Sequence, residues 1–489
     1  MAERHGPVSC DKSDKNIIMT KMRVAIYVPY VPDENTTPPL GPLYLLSVLE
    51  NKGFDVWLFD ERLEKMALNK LLEFKPDIVG ISAVTAAYNR GLEAAKRIKS
   101  LNSRIKTVFG GPHPSALPET VIKEQAVDFV CVSESEISLS DLCCRVRDND
   151  LSCKSLQAVS NLFYKDGNNV CFTDRRKLLS GRELDALPFP AFHRMDIDAY
   201  FSNTQAHGLF KKGKRILPLM SARGCPSKCT FCCRVMGDIL RERSVESVIS
   251  EIKYLIATFG VDEIYFEDDN FTLNKKRALE ILDKIAFLSP GIYIKFANGI
   301  RADALDRDLL SAMKRAGAYS LSFGIESGCT ETLKKMHKRL NIQMAKENIL
   351  LARSMGFFVG SNCIIGYPGE TVHDIEESLK YFLDLPLDSM AIVNLVPFPG
   401  TEVRKICKEN NCLTKEAQNW DNYYFSINNP IPLVESREVS KKELIRLIRK
   451  AYRKMYLRPS WIMKTVRHVP MDNIVRGILK FFPHCIQRK

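Results

Sequence analysis

The chain has 489 residues, 45% of them hydrophobic and 26% charged, a composition that fills two or three folded domains and excludes an intrinsically disordered protein. No apolar run is long enough to span a bilayer, and the opening MAERHGPVSCDKSDKNIIMT lacks the apolar core of a secretory signal, so a cytoplasmic location is expected. The net charge of +13 is concentrated at one end: residues 437–489 hold 15 Lys and Arg against 3 Asp and Glu, and the rest of the chain is nearly neutral.

Residues 1–21 are expected to form a disordered N-terminal tail. From Met22 short β-rich runs (MRVAIYVP, FDVWLFD, DIVGIS, KTVFGG, DFVCVS) alternate with helical stretches, which predicts a parallel, doubly wound sheet over 22–150 with a ligand at the strand C-termini. Residues 151–214 read as a linker, with a hairpin in NLFYKDGNNVCFTD turned at Lys165 to Asn169 and a Pro-rich stretch LPFPAF. A second alternating series follows over 215–400: ILPLMSARG, DEIYFEDDN, IYIKFANGI, YSLSFGIES, FVGSNCIIG and MAIVNLVPFPG. Six βα units predict a partial barrel with its site at the strand ends. Residues 401–489 read as a helical, basic region, with Leu444, Ile445, Leu447 and Ile448 set among basic residues from about Ser440.

Fifteen cysteines without the regular spacing of a small secreted scaffold favour metal or redox chemistry over disulfides. Four fall in RGCPSKCTFCC, on the loop that leaves the first barrel strand. Cys225, Cys229 and Cys232 can hold three irons of a cubane and leave the fourth open for a small molecule, whereas a closed structural site needs four protein ligands. Adjacent side chains point apart, so Cys233 is assigned no ligand role. The alternatives are a structural zinc on all four cysteines, in a non-catalytic scaffold, or unliganded thiols. Carboxylates follow other strands in EDDN and GIES, where they suit an ammonium and hydroxyls, and Arg301 in NGIRAD suits a carboxylate; each also fits ordinary helix capping. In the N-terminal domain, GGPH and ISAVT fit either close ligand approach or ordinary βα turns.

With Cys225-x3-Cys229-x-Phe231-Cys232, the sequence resembles the radical S-adenosylmethionine (SAM) superfamily. The resemblance implies a 4Fe-4S cluster on Cys225, Cys229 and Cys232, whose open iron chelates SAM for reductive cleavage to a 5′-deoxyadenosyl radical. It also implies SAM contacts from Phe231, from Asp268, Asp269 and Asn270, from Arg301, from Glu326 and Ser327, and from Ile364 and Gly366 in CIIGYPGE. The segments TPPLGPLYLLSVLENKGFDVWLFD, PDIVGISAVT, VFGGPHPS, VSESEISLSDL and LPFP extend the resemblance, over most of the chain, to the cobalamin-binding radical SAM subfamily. That implies an α/β fold: an N-terminal Rossmann-like cobalamin-binding domain, a partial (β/α)6 TIM-like radical SAM barrel and a helical C-terminal region. Cobalamin would then meet Ser82, Thr85, Gly110, Gly111, Pro112 and Glu134. Two departures stand out. D-x-H-x-x-G is absent, so cobalt would lack that histidine, and the usual G-E-G-E is Ser133-Glu134-Ser135-Glu136.

The activity so implied is C-methylation of an unactivated carbon in a small-molecule or lipid-like substrate, through the deoxyadenosyl radical and methylcobalamin, with an external electron donor such as flavodoxin or ferredoxin. A radical cyclase of the anaerobic porphyrin-ring type would use the same cofactors. A tRNA methylthiotransferase would need three further cluster cysteines, which Cys10, Cys131, Cys143 and Cys144 do not supply in a suitable arrangement, so nucleic acid is not expected as a partner. The basic C-terminus, with Trp461, Phe481 and Phe482, is expected either to close the barrel or to touch a membrane surface.

Overall fold

The computed structural model describes residues 21–32, 36–203, 210–288, 292–424 and 431–458. The N-terminal sheet holds seven strands: β1 (Arg23–Val28), β2 (Asp55–Asp60), β3 (Ile78–Ser82), β4 (Lys106–Gly110), β5 (Phe129–Cys131), β6 (Leu162–Asp166) and β7 (Asn169–Phe172), in the order β2-β1-β3-β4-β5-β6-β7. β1 to β5 pair in parallel, β1 lying between β2 and β3. β6 and β7 extend the sheet antiparallel, so the hairpin expected within a linker is the sheet's own edge.

Alternation along β1 feeds two cores. Val24, Ile26 and Val28 join Leu43, Leu46, Leu139 and Leu142 from helices Leu40–Asn51 and Glu136–Arg147, while Ala25 and Tyr27 join Tyr88, Leu92 and Ile98 from helix Tyr88–Leu101. The first core runs on through Ala191, Phe192, Met195 and Tyr200 into the second half of the chain.

There, β8 (Ile216–Leu219) is followed by a two-residue ladder, β9 (Ala222–Arg223) with β10 (Arg241–Glu242). β11 (Glu263–Phe266) and β12 (Tyr293–Phe296) form a parallel set ordered β12-β11-β8, and β13 (Ser320–Glu326), β14 (Phe358–Ile365) and β15 (Ser389–Asn394) form a second. Parallel bridges Ile294↔Ala318 and Ile300↔Phe323 join the two sets into the six-stranded partial barrel that the sequence predicts. Helices fill each crossover, among them Val245–Phe259, started by the Ser244 hydroxyl on the Ser247 N–H and ended by left-handed Gly260.

The barrel does not close, so β15 has a free edge. Helix Lys441–Tyr456, capped by Ser440, covers it. It buries Leu444, Leu447 and Ile448, with Ile445 partly buried. The Ile392 N–H donates to the Tyr452 hydroxyl (2.9 Å), which donates to the Ile392 carbonyl (3.1 Å), and Tyr456 repeats this at Met390 (3.1 and 2.8 Å). Two tyrosines thus stand in for a missing strand. Trp461, Phe481 and Phe482 lie outside the described residues, as does the expected N-terminal tail up to residue 20.

Candidate active site

The cysteine loop leaves β8 through a neck held from two sides. Gly224 has φ +87°, and a Cβ there would stand 2.2 Å from the Ile239 carbonyl oxygen, so only glycine fits. The Cys225 N–H donates to the Gly237 carbonyl (3.2 Å), closing the loop on itself. Asp268 accepts from the N–H groups of Ser221 (2.6 Å) and Ala222 (3.2 Å), and Asp269 from Gly224 (3.0 Å). Burial outweighs these bonds and pushes Asp268 up to about 6. The expected ammonium site is therefore in large part a brace. Asp268 is fully engaged, Asn270 is buried and accepts from the Thr272 hydroxyl (3.3 Å), and exposed Asp269 keeps its second oxygen open.

Among the thiols, Cys229 is buried, Cys225 intermediate and Cys232 exposed. Burial raises Cys229 while the Lys338 ammonium opposes it; Cys232 is raised by burial, against the Arg234 main-chain N–H, and feels Asp269 and Cys225. Cys233 faces elsewhere: it lines a separate cavity whose walls push its thiol up to about 12. Cys229 feels Cys232 and Cys232 feels Cys225, while Cys233 lines the other cavity, and three neighbouring thiols without the fourth are the donor set that an open-site cubane needs.

Opposite the loop, β13 ends at Glu326, held at φ +72° and paired with Lys338 at 3.1 Å. Lys338 also lies 5.9 Å from the Phe231 ring centroid, and Phe231 and Ile364 pack in one cluster. The sequence reading missed Lys338, because KKMHKRL resembles a solvated basic turn. Arg301 departs from its expected role: it donates to Asp303 (3.1 and 2.8 Å) and to the carbonyls of Lys338 (3.2 Å) and Arg339 (2.9 Å), which leaves no fork for a bidentate carboxylate. Ser327 is buried against the Ser378 hydroxyl (3.2 Å) and accepts from the Cys329 N–H (3.2 Å). Gly366, at φ +82°, donates to Glu370 (2.7 Å) to shape its turn.

The cavity reached by Cys233 measures about 740 Å³ and lies over the ends of β3, β4 and β5. Thr85 and Pro112 line it as expected; Ser82, Gly110, Gly111 and Glu134 do not. A Cβ on Gly111, at φ +96°, would stand 3.1 Å from the Ala83 carbonyl oxygen, so this glycine answers to the neighbouring strand end rather than to a ligand. Ser115, Ser133, Asn161, Arg175, Arg176 and Arg234 line the cavity unanticipated. Their contribution is invisible locally, because β6, β7 and the cysteine loop reach the cavity only through tertiary packing. Among the described residues no carboxylate and no histidine lines it. His113 is 1% exposed, stacked on Tyr88 (4.2 Å) with Trp420 at its edge (5.0 Å), and burial, then the Arg404 charge, pushes it down to about 4. Three guanidinium groups among Val84, Phe398, Pro399 and Tyr424 suit a large, flat ligand bearing a phosphate or carbonyl groups.

Glu134 instead joins the two halves. Its carboxylate pairs with Arg223 (2.9 Å) and Arg241 (2.7 Å) and accepts from the Leu179 N–H (2.8 Å), while Glu136 takes the other end of Arg223 (2.7 Å). All four side chains are buried. Arg223 directly precedes Gly224 and Cys225, so this quartet fixes the neck of the cysteine loop to the end of β5.

The profile of the Radical SAM superfamily matches residues 219–382, and that of the B12 binding domain residues 32–142. An uncharacterised methyltransferase of Pyrococcus horikoshii is 30% identical over 457 residues, covering 91% of this chain and 94% of its own. The cytidylyl-2-hydroxyethylphosphonate methyltransferase of Streptomyces wedmorensis is 28% identical over 418 residues, 76% of this chain and 78% of its own. The solved cobalamin-dependent SAM radical enzyme OxsB, with aqua-cobalamin and SAM bound, superposes with a TM-score of 0.72 at 17% identity, over 95% of this chain and 71% of its own.

Proposed function

The chain belongs to the cobalamin-binding radical SAM enzymes, and from that premise we propose that it methylates an unactivated carbon of a small-molecule or lipid-like substrate. The observation that carries this reading is the cysteine loop, on which Cys232 lies within the influence of Cys225, Cys229 lies within that of Cys232 and Lys338, and Cys233 lines the cavity over the first sheet. Bound there, the cluster would supply the electron that cleaves SAM and cobalamin would carry the methyl group.

In this reading Cys225, Cys229 and Cys232 hold the cluster. The open oxygen of Asp269 receives the SAM ammonium, and Lys338 takes the carboxylate role first expected of Arg301. Glu326 faces the ribose, while Phe231, Ile364 and the Gly366 turn flank the adenine. Arg175, Arg176 and Arg234 offer donors to cobalamin, with Thr85, Pro112 and Ser133 shaping the wall. Among the described residues of the cavity wall there is no histidine that would reach cobalt. The methylthiotransferase reading loses ground, since Cys131 and Cys143 are packed in the core of the first sheet and its helices.

An electron donor such as flavodoxin or ferredoxin belongs to the same proposal, because reductive cleavage consumes an electron. So does peripheral contact with an anionic membrane. Lys380, Lys450, Lys454 and Arg458, with Glu376 paired to Lys450 (2.9 Å) and Asp384 beside them, rim a groove of about 620 Å³ floored by Leu379, Leu383 and Leu447, and no described helix is long and apolar enough to cross a bilayer. The test is anaerobic incubation with methyl-labelled SAM and a host extract. A compound that gains the labelled methyl supports the reading; one that loses hydrogen without gaining label points to cyclisation or oxidation instead.

A further inference from the structure

Two buried cysteines outside the cluster loop sit at the end of helix Glu402–Glu409. The helix stops at Asn410, and Asn411 turns left-handed at φ +51°. The Asn411 N–H donates to the Lys408 carbonyl (3.1 Å) and the Cys412 N–H to the Cys407 carbonyl (3.0 Å). These are the paired bonds of a helix ending in which the second residue beyond the end packs on the third residue within it, commonly through apolar side chains. Here both positions are cysteine. The Cys412 thiol lies 3.5 Å from the Cys407 carbonyl oxygen, both side chains belong to one apolar cluster, and neither is in a disulfide. Cys407 is fully enclosed, whereas Cys412 adjoins exposed Asn410 and Asn411, so fraying of the helix end opens it to a small reagent. Contact with the Cys407 thiol also lowers Cys412 from the ordinary thiol value, against burial.

The pair stands behind the cluster loop. At the start of the same helix the Val403 N–H donates to the Thr230 carbonyl (3.0 Å), between Cys229 and Cys232, and Phe231 packs against the apolar cluster that holds Cys407 and Cys412. Cys412 is anchored on its other side: its carbonyl accepts from the Glu435 N–H (2.8 Å), and Leu413 bridges Val434. We propose that Cys407 and Cys412 are a redox-active dithiol, oxidised to a disulfide that clamps helix Glu402–Glu409 behind the cluster loop. The oxidant is a low-molecular-weight disulfide. Cys412 attacks one of its sulfurs and releases one thiol; Cys407 then attacks the Cys412 sulfur of the mixed disulfide and releases the second. The protein gives up two electrons and two protons, and the small disulfide takes up both as two thiols. This chemistry is independent of the proposed function, while its effect on the cluster rests on that reading.

The experiment uses full-length protein reconstituted anaerobically with its cluster and equilibrated in glutathione buffers of increasing disulfide content. Free thiols are then alkylated in denaturant and the cysteine peptides mapped by mass. The Cys407–Cys412 bond should appear as the buffer becomes more oxidising, with iron retained. In the desalted, oxidised protein the amides of Asn411 and Cys412 should exchange hydrogen on the order of tenfold more slowly, as expected from closing a short loop, and iron release to a chelator should slow with them. Cys412→Ala, which cannot form the bond, should show neither response. Both thiols still alkylated in the most oxidising buffer, a bond mapped to another pair, or a glutathione adduct without the internal bond overturns the inference. So does a bond that leaves either the exchange or the iron release unchanged. These outcomes are read on the wild type and stand even where the variant does not fold. Protein that forms the bond and slows exchange but never holds iron overturns instead the cluster reading.

Discussion

At the scale of single residues, the two most informative side chains are those whose surroundings contradict their local sequence. Cys233 extends a run of cysteines yet faces the cavity, so Cys233→Ala should leave the iron content at the wild-type level after anaerobic reconstitution; loss of iron would return it to the ligand set. His113 follows two glycines at a strand end, a setting that invites a ligand role, but Tyr88 and Trp420 enclose its ring. Its folded-state value of about 4 lies below the ordinary 6.5. Below pH 6.5 the unfolded chain therefore binds a proton that the folded one refuses, and stability from this group is present above pH 6.5 and lost as pH falls toward 4. His113→Phe keeps a ring between the same partners. Relative to the wild type it should regain roughly 2 kcal/mol at pH 5, read as a urea midpoint that depends less on pH. An unchanged acid limb would show that His113 is not buried neutral.

At the scale of elements, the joint between the two halves is a buried charge network rather than an apolar seam. Glu134→Gln removes the only carboxylate that Arg241 has among the described residues and should cost roughly 3 kcal/mol, because a buried guanidinium is left unpaired. The loop neck should loosen with it, so iron should be lost faster to a chelator; wild-type stability and wild-type iron retention together would contradict the joint. The tyrosine edge makes a separate prediction. In Tyr452→Phe/Tyr456→Phe the amides of Ile392 and Met390 lose their partners, at about 1 kcal/mol each, and their hydrogen exchange should quicken while that of β14 does not.

These elements also mark what the sequence could and could not disclose. The β-rich run of β1, the six strand ends and the helix from about Ser440 were legible, because composition and spacing along the chain are local properties. The β9–β10 ladder was not, since two residues carry no period, and the β6–β7 hairpin read as a linker because only its pairing with β5 makes it part of the sheet. The site divides the same way. Spacing and adjacency named three thiols and set aside the fourth, but which carboxylates stay open depends on N–H groups supplied from other strands. Asp268 and Glu134 are spent on structure for that reason, and Lys338 gains its place only because a left-handed turn at His337 and Arg339 brings it to Glu326.

For the whole molecule, the arrangement places one loop between a barrel mouth and a cavity over a Rossmann-like sheet, so two cofactors would meet across it. The central claim is that both act in one enzyme, and the most direct measurement is 5′-deoxyadenosine formation from SAM by anaerobically reconstituted, reduced protein, made alongside its iron and cobalamin content. The account predicts one 4Fe-4S cluster and one cobalamin per wild-type chain with deoxyadenosine produced. It predicts cobalamin retained but deoxyadenosine abolished when any of Cys225, Cys229 or Cys232 is changed to Ala. Wild-type protein that holds zinc in place of iron, or a Cys225→Ala variant that still cleaves SAM, would contradict it.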